Sequence, residues 1–158
     1  MIHPCLPRPS FDAIREAWPQ DRPISVRISA TDWMEGGMQG HDAVALSVLL
    51  KAAGADIVAV STGQTVPGAK LAYGRLFQTP FAEQIRLEAQ VPTIAIGMIS
   101  SYPDVNSIIA AGRADLVALA RAHLYDPYWT RHAAAEQEYE IPWPPQYRSV
   151  ARYRPRLK

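Results

Sequence analysis

The chain has 158 residues, 16 Lys+Arg against 15 Asp+Glu and a formal net charge of +1, so it carries no global field that would draw nucleic acid or an anionic membrane surface. The single Cys5 excludes an internal disulfide framework and a multi-cysteine metal site. No apolar run reaches the length of a membrane span and residues 1–9 lack the apolar stretch of a secretory signal, so a cytoplasmic protein of one domain, with no metal, is expected.

In chain order, Phe11 to Trp18 reads as a short amphipathic helix closed by Pro19, and Ile24 to Ser29 as the first strand. A second helix begins near Asp42. Its Ala45, Val48, Leu49 and Ala52 make an i, i+3, i+4, i+7 stripe expected to face the core, and Gly54 stands where a C-terminal cap belongs. Ile57 to Ser61 is the second strand. Thr79 and Pro80 read as the N-cap and first turn of a helix running to about Ala89, and Thr93 to Gly97 is the third strand. Asp104 to Ala111 forms a helix stopped by Gly112, Leu116 to Ala120 is the fourth strand, and Asp126-Pro127 opens a last helix through about Tyr139. Pro142, Pro144 and Pro145 then break regular structure, leaving an irregular tail that carries Arg148, Arg152, Arg154, Arg156 and Lys158.

One phrase occurs twice, Ala-Gly-Ala-Asp-Ile-Val-Ala-Val at 53–60 and Ala-Gly-Arg-Ala-Asp-Leu-Val-Ala-Leu at 111–119. In each, a glycine ends a helix, an aspartate occupies the turn and an apolar run enters a sheet. Four βα units in series imply an α/β chain with a parallel sheet and right-handed crossovers. The runs are rich in branched residues, as strands buried on both faces require.

Chemistry is expected where these strands end. Thr93-Ile-Ala-Ile-Gly-Met98 finishes on Gly97, where a missing side chain admits a ligand to the backbone. The following strand finishes on Ala120 and Arg121, a fixed cation with a planar fork of donors. Bare backbone followed by a guanidinium at successive strand ends describes a phosphate cradle, and in a (β/α)8 barrel the loops after the last two strands frequently build one. Taken alone, Arg27 or Arg121 is equally well explained as a salt-bridge partner. The loop from Gly63 to Gln78 is long enough to form part of a substrate mouth. Asp32, Trp33 and Glu35 follow the first strand and are read as solvated or packed side chains.

Ser25-Val-Arg-Ile-Ser-Ala-Thr-Asp-Trp33, Tyr73-Gly-Arg-Leu-Phe-Gln-Thr-Pro-Phe81, Gly112 to Arg121, Asp126-Pro-Tyr-Trp129 and Trp143-Pro-Pro-Gln-Tyr147 occur in an order that resembles the C-terminal half of the old yellow enzyme family, FMN-dependent NAD(P)H:flavin oxidoreductases on a (β/α)8 (TIM) barrel. The wording is most similar to the reductase-like C-terminal domains of salicylyl-CoA 5-hydroxylase and anthraniloyl-CoA monooxygenase. The resemblance implies a partial barrel, strands five to eight with their helices, divided into an atypical segment 1–10, an FMN-phosphate-binding half barrel 11–140 and a Pro/Arg-rich tail 141–158. It implies that Arg27 lies against the pyrimidine edge of the flavin, that Ser61 ends a strand on the cofactor face, that Gly97 and Met98 turn backbone N–H groups toward the FMN phosphate, and that Ala120 and Arg121 supply its charge partner.

The family's substrate-binding His pair and proton-donating tyrosine belong to strands one to four. None of His3, His41, His123 and His132 occupies the family's motif position, so no catalytic residue is assigned. The resemblance implies FMN and NAD(P)H as cofactor and reductant, and a small-molecule substrate such as an aromatic CoA thioester. Four strands cut from a barrel leave two open edges, so either a homo-oligomer or a complementary N-terminal half barrel is expected. A half barrel that binds FMN or another phosphate ligand weakly, or serves only in assembly, is the non-catalytic alternative. A flavin-free aldolase or isomerase would share the phosphate cradle but not the motif wording.

Overall fold

The computed structural model describes residues 8–150, which form two compact units meeting at Arg121 and Ala122. In the first unit, α1 (Arg8–Ala17), β1 (Ser25–Ser29), α2 (Gly40–Ala52), β2 (Ile57–Ser61), α3 (Thr79–Glu88), β3 (Thr93–Ala95), α4 (Tyr102–Ala110) and β4 (Leu116–Val117) alternate strictly. The four strands form one sheet in the order β1-β2-β3-β4, parallel throughout. This is the α/β, partial (β/α)8 arrangement that the alternation of periods predicts.

The register defines two unlike faces. Val26 and Ile28 of β1, Val58 and Val60 of β2, Ala95 of β3 and Val117 of β4 join the hydrophobic core with Ala43 and Leu50 of α2, Ala82 and Ile85 of α3, and Ile108 of α4. Successive side chains in a strand point to opposite faces, so the row Arg27, Ala59, Ile94 and Leu116 occupies the other face. Of these four only Ala59 is buried, and Arg27 and Leu116 are exposed. In a closed barrel this face is the packed interior.

The repeated phrase is one structural device used twice. Asp56 accepts the Ile24 N–H at 2.7 Å and donates its own N–H to the Ile24 carbonyl at 3.1 Å, with Arg15 of α1 3.9 Å from its carboxylate. Asp115 accepts the Thr93 N–H at 2.9 Å and donates its N–H to the Thr93 carbonyl at 3.1 Å, with Arg86 of α3 at 3.0 Å. Each latch joins the N-terminal ends of a strand pair, and the register repeats with it: Ser25 faces Ile57 as Ile94 faces Leu116. The unit is thus α1-β1-α2-β2 followed by its structural repeat α3-β3-α4-β4. Burial pushes the Asp115 carboxyl up, but Arg86 and the Thr93 N–H outweigh it and hold Asp115 below the ordinary carboxylate value.

Several expectations are corrected. The buried face of α2 is Ala43, Ser47 and Leu50, while Val48 and Leu49 are exposed. The helix is apolar nearly all round, so periodicity does not choose its inner face. The third and fourth strands stop at Ala95 and Val117, short of Gly97 and Ala120, because the chain turns at their ends to form the site described below. The N-cap of α3 is Gln78 and that of α4 is Ser101, so α4 starts two residues before Asp104.

In the second unit the helix expected from Asp126 to about Tyr139 is shorter, α6 (Trp129–Glu136), and it is preceded by a helix that was not expected, α5 (Arg121–Tyr125, beginning on the last residue of the first unit). Asp126 accepts the Tyr128 N–H at 3.0 Å and lies 2.6 Å from His132 Nδ1. The His132 hydrogen bond first, then the Tyr128 N–H and the imidazole charges, hold Asp126 below its usual range despite some desolvation. Arg131 stacks 3.9 Å over Trp143 and donates to the Pro142 carbonyl at 2.8 Å. Pro145–Val150 is a 3-10 helix where an irregular tail was expected; the remainder of the tail, from 151, lies outside the described residues.

Candidate functional site at the C-terminal strand ends

All six residues singled out from the sequence lie on the open face or at the C-terminal end of the sheet. In open α/β sheets and barrels this is the end that binds ligands. On β1, Arg27 is exposed and donates from Nε to Ser61 Oγ at 3.3 Å, and Ser61, the last residue of β2, donates to the Ile28 carbonyl at 3.0 Å. Arg27 and Ser61 therefore form a connected pair spanning two adjacent strands.

After β3 the backbone bends through Gly97 at φ +98° and Met98 at φ +51°. A side chain at 97 is excluded on two counts: φ lies in the left-handed region, and a Cβ would come within 2.3 Å of the Gln78 amide. Arg121, the first residue of α5, is exposed, and its Nη2 lies 3.2 Å from Met98 Sδ, so guanidinium and glycine turn are neighbours. Among the described residues no carboxylate pairs with Arg121, and Arg27 bonds only Ser61. Ala120 is exposed between β4 and α5, where the Ala118 N–H has made the last contact with β3, at 2.9 Å to the Ala95 carbonyl.

The site thus offers an exposed cation beside a turn without a side chain, and a second cation two strands from that turn. The exposed Arg121 guanidinium, the Arg27 guanidinium held by Ser61 and a backbone cradle that a Cβ would fill are suited to an anion on a planar ligand, and fit the phosphate and ring system of a flavin nucleotide.

The loop over this end, residues 62–78, is anchored in ways the sequence does not announce. Arg75 donates from Nε to Asp104 Oδ1 at 2.6 Å, and Asp104 is nearly fully buried at the start of α4. Burial is the strongest influence on that carboxyl and raises it. The Arg75 guanidinium, Ser101 and the N–H groups of Ser100 and Ser101 together overcome burial and leave it below its ordinary value. Asp104 also completes a capping box with Ser101. Thr65 bonds Asp32, and Trp33 packs edge-on against Phe81 at 5.7 Å, so Asp32 and Trp33 hold the loops together as packed residues. A shallow depression of about 460 Å³, lined by Trp33, Met34, Glu35, Gly36 and Gln39, opens beside them. Among the described residues no His/Cys/Asp/Glu group is arranged to hold a metal, and no helix is long and apolar enough to cross a membrane.

Fold and site together define a class: a partial (β/α)8 barrel whose C-terminal face brings a glycine turn and an exposed guanidinium side by side. The chain belongs to the NADH:flavin oxidoreductase / NADH oxidase family, whose model matches residues 7–140. The NADPH dehydrogenase of Geobacillus thermodenitrificans is 44% identical over 137 residues, covering 87% of this chain and 39% of that protein. That of Bacillus licheniformis is 38% identical over 142 residues, covering 90% and 41%. The chain therefore spans about two fifths of the length of these relatives. Among solved structures, histamine dehydrogenase from Rhizobium sp. 4-9 aligns with a TM-score of 0.65 at 18% identity, over 83% of this chain and 19% of that one. Morphinone reductase aligns with a TM-score of 0.57 at 19% identity, over 85% and 35%. At these identities the two structures speak for the fold alone. Membership of the family implies FMN as cofactor and NAD(P)H as reductant.

Proposed function

We propose that this chain is the FMN-binding half of an NAD(P)H-dependent flavin oxidoreductase of the old yellow enzyme type, corresponding to barrel strands five to eight. The observation that carries the reading is the adjacency of the Gly97–Met98 turn and the Arg121 guanidinium, with which no carboxylate pairs among the described residues. In this reading the Gly97 and Met98 N–H groups and the Arg121 fork take the phosphate, and the Ala120 backbone leaves it room. Arg27, oriented by Ser61, faces the pyrimidine edge, where a cation favours negative charge. FMN, when bound, supplies two-electron chemistry between NAD(P)H and an electron-poor alkene or aromatic CoA thioester; the latter rests on likeness of motif wording to the reductase-like domains of salicylyl-CoA 5-hydroxylase and anthraniloyl-CoA monooxygenase. Segment 11–140 carries these contacts, flanked by the atypical 1–10 and the tail 141–158, and the setting is the cytoplasm.

In this reading substrate activation falls to groups of the family's strands one to four, which a complementary N-terminal half barrel supplies; a second copy of this chain covers the open edges without them. The bare sheet face with exposed Arg27 and Leu116 also supports a second reading, a non-catalytic half barrel that binds FMN weakly or acts in assembly.

Titrating the chain with FMN and with riboflavin, alone and co-expressed with the N-terminal half of the Geobacillus thermodenitrificans relative, tests the phosphate assignment. FMN is expected to bind more tightly than riboflavin, and Arg121→Ala to remove about 1.5–3 kcal/mol from FMN binding alone. Equal affinities in the unsubstituted chain refute a phosphate role. A yellow complex that oxidises NADPH favours the reductase, and FMN binding without turnover favours the second reading.

A further inference from the structure

Gln78 stands immediately before α3 and is 7% exposed, although nothing in its own helix needs a buried amide there. In the orientation that satisfies both ends of the amide, Nε2 donates to the Ile96 carbonyl at 3.0 Å and Oε1 accepts from Thr62 Oγ1 and the Thr62 N–H at 3.1 Å each. The β2–β3 ladder ends at Val60 and Ala95, so this side chain carries the connection between the two strands past their last paired residues. The same amide group fills the space a Cβ at 97 would occupy. From the same loop the Leu76 N–H donates to the Met98 carbonyl at 3.4 Å. The turn is thus backed by Gln78 and tied by Leu76, both from the loop that Arg75 anchors to α4.

A satisfied buried amide is a directional clamp. Removing its donor leaves the Ile96 carbonyl unpaired next to a turn already held at two positive φ values, and such a turn persists only while its surroundings fix it. We propose that Gln78 is a positioning residue for the nucleotide phosphate: it acts through Gly97, holding the Gly97 and Met98 N–H groups aimed beside Arg121. This rests on the reading that those N–H groups receive the phosphate.

The test uses the full chain. Gln78→Met keeps the volume and removes the hydrogen bonds, whereas Gln78→Glu keeps an acceptor toward Thr62 and removes the donor toward Ile96. In both, amide hydrogen exchange at Leu76, whose N–H bonds the Met98 carbonyl and so reports whether the turn is held, is expected to accelerate about tenfold, the scale of one lost buried hydrogen bond, with the interior amides of α2 unchanged. The FMN-to-riboflavin affinity ratio should fall by a similar factor while riboflavin affinity holds. Unchanged exchange at Leu76, or FMN and riboflavin weakening together, overturns the role of Gln78. If the unsubstituted chain does not distinguish FMN from riboflavin, the phosphate reading fails and takes this role with it. Distinction retained in both variants removes Gln78 alone. Should Gln78→Met not fold, Gln78→Glu carries both measurements.

Discussion

Gly97 and Arg121 are each ambiguous alone, since a glycine at a strand end marks a close contact of any kind and an exposed arginine marks little. Their pairing makes them informative. The glycine is required by φ +98° and by the Gln78 amide behind it, which are conditions of the fold and hold whether or not a ligand is present. Gly97→Ala is therefore expected to destabilise the chain by about 1–3 kcal/mol, read as a lower urea midpoint at unchanged slope. Arg121 has the opposite character. It is exposed with a single soft contact to Met98, so its replacement should leave the midpoint unchanged and act on ligand binding alone.

Among the elements, α2 shows how an apolar helix misleads. Val48 and Leu49 lie on the exposed side and Leu50 in the core, one residue apart. Leu50→Ala should cost about 2–5 kcal/mol as a buried cavity, and Val48→Ala within about 0.5 kcal/mol; similar losses for both would place the core on the wrong face. The start of α4 makes a second prediction. The Asp104 carboxyl titrates below its ordinary value of 3.8 in the folded chain, so its stabilising contribution is complete above that value and disappears as pH falls through the lowered one. Asp115 contributes in the same direction. Acid unfolding followed by circular dichroism should begin below about pH 4, and Asp104→Asn should reduce the slope of stability against pH in that range. An unaltered profile in the variant excludes Asp104 as a contributor.

For the molecule as a whole, the decisive feature is an imbalance. Helices cover one face of a parallel sheet, the other face presents Arg27, Ile94 and Leu116, and among the described residues no strand pairs with the outer edges of β1 and β4. Parallel sheets occur almost only with both faces covered, and open edges pair with other chains. Sedimentation of the full chain at micromolar concentration should show association that reverses on dilution or on adding a complementary half barrel. A compact monomer across that range contradicts both forms of partner proposed.

The alternation of helices and strands up to β4 and the parallel sheet were legible in the sequence, as was the placing of Gly97 and Arg121 beyond the third and fourth strands. Glycine-stopped helices, capping residues and short branched runs are local signals, and the two Ala-Gly…Asp phrases mark the repeated latch. Other features depend on residues far apart along the chain. The choice between two apolar faces of α2, the early ends of β3 and β4, the Arg75–Asp104 tie and the Gln78 clamp each join segments that no periodicity relates. A lone glutamine before Thr79-Pro80 reads as a helix flank. It acquires a role only when packing brings Thr62, Ile96 and Gly97 around it, because a buried amide's partners are fixed by tertiary contact and not by spacing along the chain.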